Sequence, residues 1–137
     1  MKFIKIVSAH CDLFCGVYDP AQARIEAQAV YNAVHKYNES DDEVFRQRCV
    51  IIKEERAQLT KEHLWVLWTD YFKEPHAEKF PELHDLFWRA TKAAGEAKKS
   101  MHEEDAQKLI DLVDEVGHLF AKTKEGYDYE AIVNNLK

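Results

Sequence analysis

The chain has 137 residues, 46% of them hydrophobic, and 19 Lys and Arg against 25 Asp and Glu give a formal net charge of −6. That length suits one domain with a core of its own, and the acidic balance argues against nucleic acid, whose binders carry a clustered basic surface. No run approaches a membrane span, four glycines and three prolines favour helix over sheet, and three cysteines without an evident secretory leader point to a reducing, cytoplasmic setting.

Residues 1–9 read MKFIKIVSA, an apolar run too short for a secretory signal, ending on a small residue. His10-Cys11-Asp12-Leu13-Phe14-Cys15-Gly16-Val17-Tyr18 comes next, with two of the three cysteines four residues apart and a histidine directly before the first. A cut before His10 would add a free α-amine to the Cys11 amide nitrogen and the Cys11 sulfur. Those three donors form adjacent chelate rings in one plane, Cys15 adds a second thiolate, and the His10 ring caps the plane. Such a nitrogen–sulfur set suits Ni(II) or Cu(II), whereas zinc prefers a tetrahedron. The plain alternative is two incidental cysteines beside an uncleaved arm.

Asp19-Pro20 opens a first helix, with Asp as N-cap and Pro at the first helical position, running to about Asn38. Glu26, Val30, Ala33 and Tyr37 mark one face, on which the Glu26 carboxylate is the odd member. Ser40-Asp41-Asp42-Glu43 reads as a capping box for a second helix that meets no Gly or Pro before Pro75. Its stripe, Phe45, Cys49, Ile52, Arg56, Leu59, His63 and Val66, has heptad spacing. A guanidinium on such a seam needs a carboxylate, so Arg56 is expected to pair with Glu26. Cys49 and His63 read as core residues, and the other downstream histidines as surface or capping groups. Trp65 and Trp68 read as packing residues. A loop is expected at 76–80, then a third helix from Pro81 to about Lys99 with Leu83, Leu86, Phe87, Ala90, Ala94 and Ala97 inward. Ser100-Met101-His102-Glu103 reads as a second capping box, opening a fourth helix through Leu109, Leu112, Val113, Val116, Leu119 and Phe120. Four amphipathic helices with short connections predict an all-α, antiparallel four-helix bundle. Residues 127–133 are expected to add a short helix or to pack on a neighbouring subunit.

H-C-D-L-x-C-G-V-Y-D-P resembles the metal-binding hook of nickel superoxide dismutases. The resemblance continues through Ala21 to Glu26, Val50 to Glu54 with Arg56, Val66 to Lys73 and Phe80 to His84, covering about Val7 to about Lys124. It implies disproportionation of superoxide at a nickel ion held by His10, Cys11 and Cys15 after a peptidase removes the leader between Ala9 and His10. It further implies that Glu26, itself held by Arg56, orients the hook histidine. Tyr18 and Tyr71 are then a hydroxyl gate near the metal, Asp12 shapes the pocket, and Lys73 draws in the anion. The family forms homohexamers, and the same is expected here.

The chain thus divides into a leader (1–9), a hook (10–18), a bundle (19–124) and a C-terminal extension (125–137). One departure stands out: the family pattern has proline where this chain has Phe14. A cis bond before Phe costs about 2.5–4 kcal/mol, against about 0.5–1 before Pro. A trans Leu13–Phe14 bond is therefore expected, with copper as the alternative ion. The rival from another class is a non-catalytic Ni/Cu-binding bundle whose hook is never matured.

Overall fold

The computed structural model describes residues 16–137, and the described residues form helices joined by short turns. The helices are α1 (Ala21–Glu39), α2 (Glu43–Val66), α3 (Glu74–Lys79), α4 (Leu83–Lys99), α5 (Glu103–Ala121) and α6 (Tyr129–Asn135). The long helices α1, α2, α4 and α5 close into the four-helix bundle, α1 packing on α2 and α5, and α4 completing the ring between α2 and α5. The core runs down the axis on Val30, Val34, Leu64, Phe87, Leu109, Val113 and Phe120. No helix among the described residues is long and apolar enough to cross a membrane.

The α4 and α5 faces match the periodicity: every inward residue expected on them is buried, joined by Ala93, Ala106 and Ile110. The α2 seam does not. Its buried residues are Cys49, Lys53, Ala57, Thr60, Leu64 and, just beyond, Leu67. Phe45 and Ile52 are instead 39% and 45% exposed. Apolarity misled the reading because two members of the true seam are polar. Lys53 runs its aliphatic stem through the interface and donates from Nζ to the carbonyls of Lys98 and Ser100 at 2.6 and 2.8 Å, closing the C-terminal end of α4. Thr60 returns its hydroxyl to the Arg56 carbonyl. Burial holds the Lys53 ammonium below its ordinary pKa, with Glu54 opposing.

Both capping boxes need correction. Asp42, not Ser40, caps α2: its Oδ1 accepts the Phe45 N–H at 2.7 Å, while Ser40 Oγ accepts only the Asp42 N–H. A carboxylate beside the first turn also answers the positive end of the helix dipole, which a hydroxyl answers weakly. At α5 the helix opens after His102, and Ser100 Oγ accepts the His102 N–H. Glu103, cast there as the box partner, is taken by Tyr31 and His35 of α1 at 3.2 and 2.9 Å. The expected loop at 76–80 is largely helical as α3, where Pro75 sits in the first turn and His76 Nδ1 accepts the Lys73 N–H.

Candidate metal centre

The first helix begins where the hook ends. Asp19 Oδ1 accepts the Ala21 N–H at 2.8 Å, an aspartate turn that fixes the direction in which the chain enters α1. Tyr18, one residue earlier, lies with its ring centroid 5.6 Å from that of Tyr71, tilted 56°. Two residues far apart in sequence thus meet at the same end of the bundle. The hook donors His10, Cys11 and Cys15, with Asp12, Phe14 and the expected cleavage point at Ala9–His10, lie outside the described residues.

Tyr71 owes its position to a feature that helical spacing hides. After Val66, α2 continues as one π-helical turn, Leu67–Tyr71, closed by the Phe72 N–H on the Leu67 carbonyl at 2.9 Å. One residue inserted in a turn rotates the rest of the chain by about 100° relative to an unbroken α-helix. Thr69 Oγ returns to the Trp65 carbonyl across this turn. The Tyr71 ring then packs on Phe120 at 4.5 Å and stacks on His76 at 5.8 Å, and its hydroxyl shares a 2.7 Å hydrogen bond with Thr123 Oγ1. Trp68, from the same turn, stacks on Phe87 and donates its indole N–H to His84 Nδ1. Lys73 leaves the turn exposed, its Nζ donating to the Asp70 carbonyl at 2.7 Å.

Glu26 and Arg56 face each other between α1 and α2. Arg56 Nη1 reaches both Glu26 oxygens, at 3.3 and 3.2 Å, and Nη2 reaches Glu55 at 2.7 Å. The Glu26 side chain is 15% exposed and that of Arg56 32%. A nearly buried carboxylate braced by one guanidinium nitrogen keeps lone pairs for a further donor. Arg56 is not the buried guanidinium that the stripe implied.

That position belongs to Arg24, 3% exposed, which the sequence reading missed. Its Nε donates to Asp114 of α5 at 2.7 Å and its Nη1 to Gln28 at 2.9 Å, while Tyr129 donates to the same Asp114 oxygen at 2.8 Å. The signal available in the sequence was weak: an arginine between Ala23 and Ala27 on the small-residue face of α1. Cys49 is buried as a free thiol. No group of three or more His, Cys, Asp or Glu side chains gathers as a metal site among the described residues. The donor set expected of the hook, two thiolates with imidazole and backbone nitrogen, is chemically suited to nickel.

Similarity to known proteins gives the family and the fold. A family model described as nickel-containing superoxide dismutase matches residues 5–124. The nickel superoxide dismutase of Streptomyces seoulensis is 52% identical over 119 residues, which cover 87% of this chain and 91% of that protein. Its counterpart in Streptomyces coelicolor is 51% identical over the same length and coverage. Among solved structures, a native nickel superoxide dismutase superposes with a TM-score of 0.82 at 50% identity, over 85% of this chain and all of the other. An apo form of such an enzyme superposes with a TM-score of 0.78 at 48% identity, over 81% of this chain and all of the other.

Proposed function

The chain belongs to the nickel-containing superoxide dismutases, oxidoreductases that disproportionate superoxide at nickel, and from that premise we propose a division of labour among its residues. His10, Cys11 and Cys15 hold the ion once a peptidase has exposed the His10 amine, and Asp12 shapes the loop around it. Nickel, when bound, supplies the one-electron couple that lets one superoxide be oxidised to oxygen and a second be reduced to peroxide. Thiolate and deprotonated amide donors bring that couple within reach of superoxide.

Glu26, braced by Arg56, accepts the hydrogen bond of the His10 ring and so fixes that ring's orientation. Tyr18 and Tyr71 line the mouth. Their hydroxyls order the water that delivers the two protons each peroxide requires, and their rings limit what reaches the thiolates, which unguarded would oxidise. The exposed ammonium of Lys73 offers an anion a local attraction on a chain of net charge −6. Val44, Phe45, Ile51 and Ile52 on α2 and Ile25 on α1 are exposed apolar side chains, which supports a homo-oligomer that covers them, a hexamer by family resemblance. The protein acts in the cytoplasm under this reading.

The observation that carries the assignment is the low-exposure Glu26 carboxylate held by Arg56 on the helix next to the hook. Glu26→Gln keeps the side chain's shape and removes the charge that orients an imidazole. In the mature nickel-loaded protein it is expected to lower turnover or nickel affinity roughly 10–100-fold, with the thermal midpoint nearly unmoved. Full activity and full nickel retention in Glu26→Gln would remove Glu26 from the site.

A further inference from the structure

Residues 125–137 lie beyond the segment matched by the family model, which stops at 124, yet they are bound tightly to the bundle at the point where the hook joins α1. Gly126, at φ +75°, turns the chain back in a conformation that favours glycine. Asp128 caps α6 through the Ala131 N–H, and His118 pairs with Glu130 at 2.6 Å. The buried ring of Tyr129 fills a notch over Gly117, where a Cβ would overlap it. Its hydroxyl donates to Asp114, the same oxygen that receives Arg24 from the first turn of α1.

Tyr127 makes the second attachment. Its hydroxyl donates to Asp19 Oδ1 at 2.7 Å, so the oxygen that closes the aspartate turn onto Ala21 is itself held from the tail. Its ring meets Phe120 edge-on at 4.9 Å, Phe120 packs on Tyr71, and Tyr71 on Tyr18. An aromatic file therefore runs from the tail to the mouth of the centre. Burial, reinforced by Asp19, raises the Tyr127 pKa, and burial with Asp114 raises that of Tyr129, so both hydroxyls remain protonated donors.

We propose that residues 125–137 form a strap that fixes the root of the metal-binding hook, with Tyr127 as the positioning residue and Tyr129 as its anchor, a role that rests on the assignment of Tyr18 and Tyr71 to the mouth of the metal centre. The strap sets the angle at which the chain enters α1, and with it where Tyr18 stands against Tyr71.

The test uses the mature, nickel-loaded chain and three variants: Tyr127→Phe, which removes one hydroxyl and keeps the ring; Gly117→Ala, which evicts Tyr129; and a chain ending at Lys124. Amide hydrogen exchange, nickel release to a chelator and turnover are read together. In Tyr127→Phe, amides from Gly16 to Arg24, Ala21 included, are expected to exchange roughly tenfold faster, the loss of one hydrogen bond to a charged group. Nickel leaves faster, while α4 exchanges at its unaltered rate. Gly117→Ala, with the tail's own sequence unaltered, and the chain ending at Lys124 both reproduce the loosening. Unchanged root amides in both point variants, with any effect confined to residues 125–137, overturn the strap. Tyr71→Phe is the control. Altered turnover there beside an unmoved root in Tyr127→Phe overturns the strap alone. A loosened root with turnover indifferent to Tyr71→Phe overturns the site assignment, and with it the strap's role in the reaction.

Discussion

Cys11→Ser and Cys15→Ser are each expected to yield a folded chain that holds little nickel and removes superoxide no faster than the uncatalysed reaction. A serine hydroxyl is a hard donor that stays protonated at neutral pH, so it neither replaces the thiolate nor lends the electron density that brings the nickel couple within range. The fold should not notice. The core is built within the described residues, where the only cysteine is Cys49, and neither hook cysteine lies among them. Nickel content by elemental analysis, superoxide removal and the thermal midpoint, taken on one preparation, check this directly. Loss of metal with an unmoved midpoint is the expected pattern, and retained turnover in either variant contradicts the assignment of both sulfurs as ligands.

Asp114→Ala should lower stability substantially. It leaves Arg24, 3% exposed, with its Nε unpaired, and it deprives Tyr129 of its acceptor. Breaking a buried pair by removing one partner costs about 3–5 kcal/mol. Because the Asp114 side chain is itself 22% exposed, the lower end applies, about 3 kcal/mol, or roughly a 10 °C fall in midpoint for a domain of this size. Asp114→Asn keeps an acceptor for Tyr129 and should recover part of the loss. Thermal melting of both variants checks the ranking, and an alanine variant as stable as the parent would show that water satisfies Arg24.

The family was the most legible feature of the chain, because the motif that carries it, H-C-D-L-x-C-G-V-Y-D-P, is contiguous in sequence and is followed by a matching scaffold. The faces of α4 and α5 were equally plain, since Leu86, Phe87, Val113 and Phe120 carry helical periodicity in apolar residues alone. Where polar side chains do structural work, the same reasoning failed. Lys53 and Thr60 belong to the α2 seam through hydrogen bonds to carbonyls, so a stripe chosen by apolarity fell on the exposed flank with Phe45 and Ile52. Arg24 was hidden because its partner lies on the far side of the bundle, 90 residues away. The π-turn at Leu67–Tyr71 leaves no mark in spacing, yet it decides where Tyr71 points. Both capping errors came from choosing the first small polar residue, when the carboxylate nearer the open N–H groups took the cap at α2 and cross-helix partners took Glu103 at α5.

Phe14 bears on the centre in a different way. A cis bond before Phe costs about 2–3 kcal/mol more than one before Pro, so a hook that followed the family pattern with cis at this bond would draw that cost from metal binding. Under the proposed assignment, the Glu26–Arg56 brace, the Tyr18–Tyr71 contact and the tail's hold on Asp19 would support such a hook from outside.

The central claim is that a His10 amine, freed by cleavage, completes a nickel centre on this bundle. The direct measurement compares the full chain with one beginning at His10, each loaded separately with Ni(II) and with Cu(II), for bound metal and superoxide removal. Stoichiometric nickel and turnover confined to the His10-first, nickel-loaded chain is the predicted result. Equal turnover from the uncut chain, or nickel bound by the His10-first chain with no turnover, contradicts it.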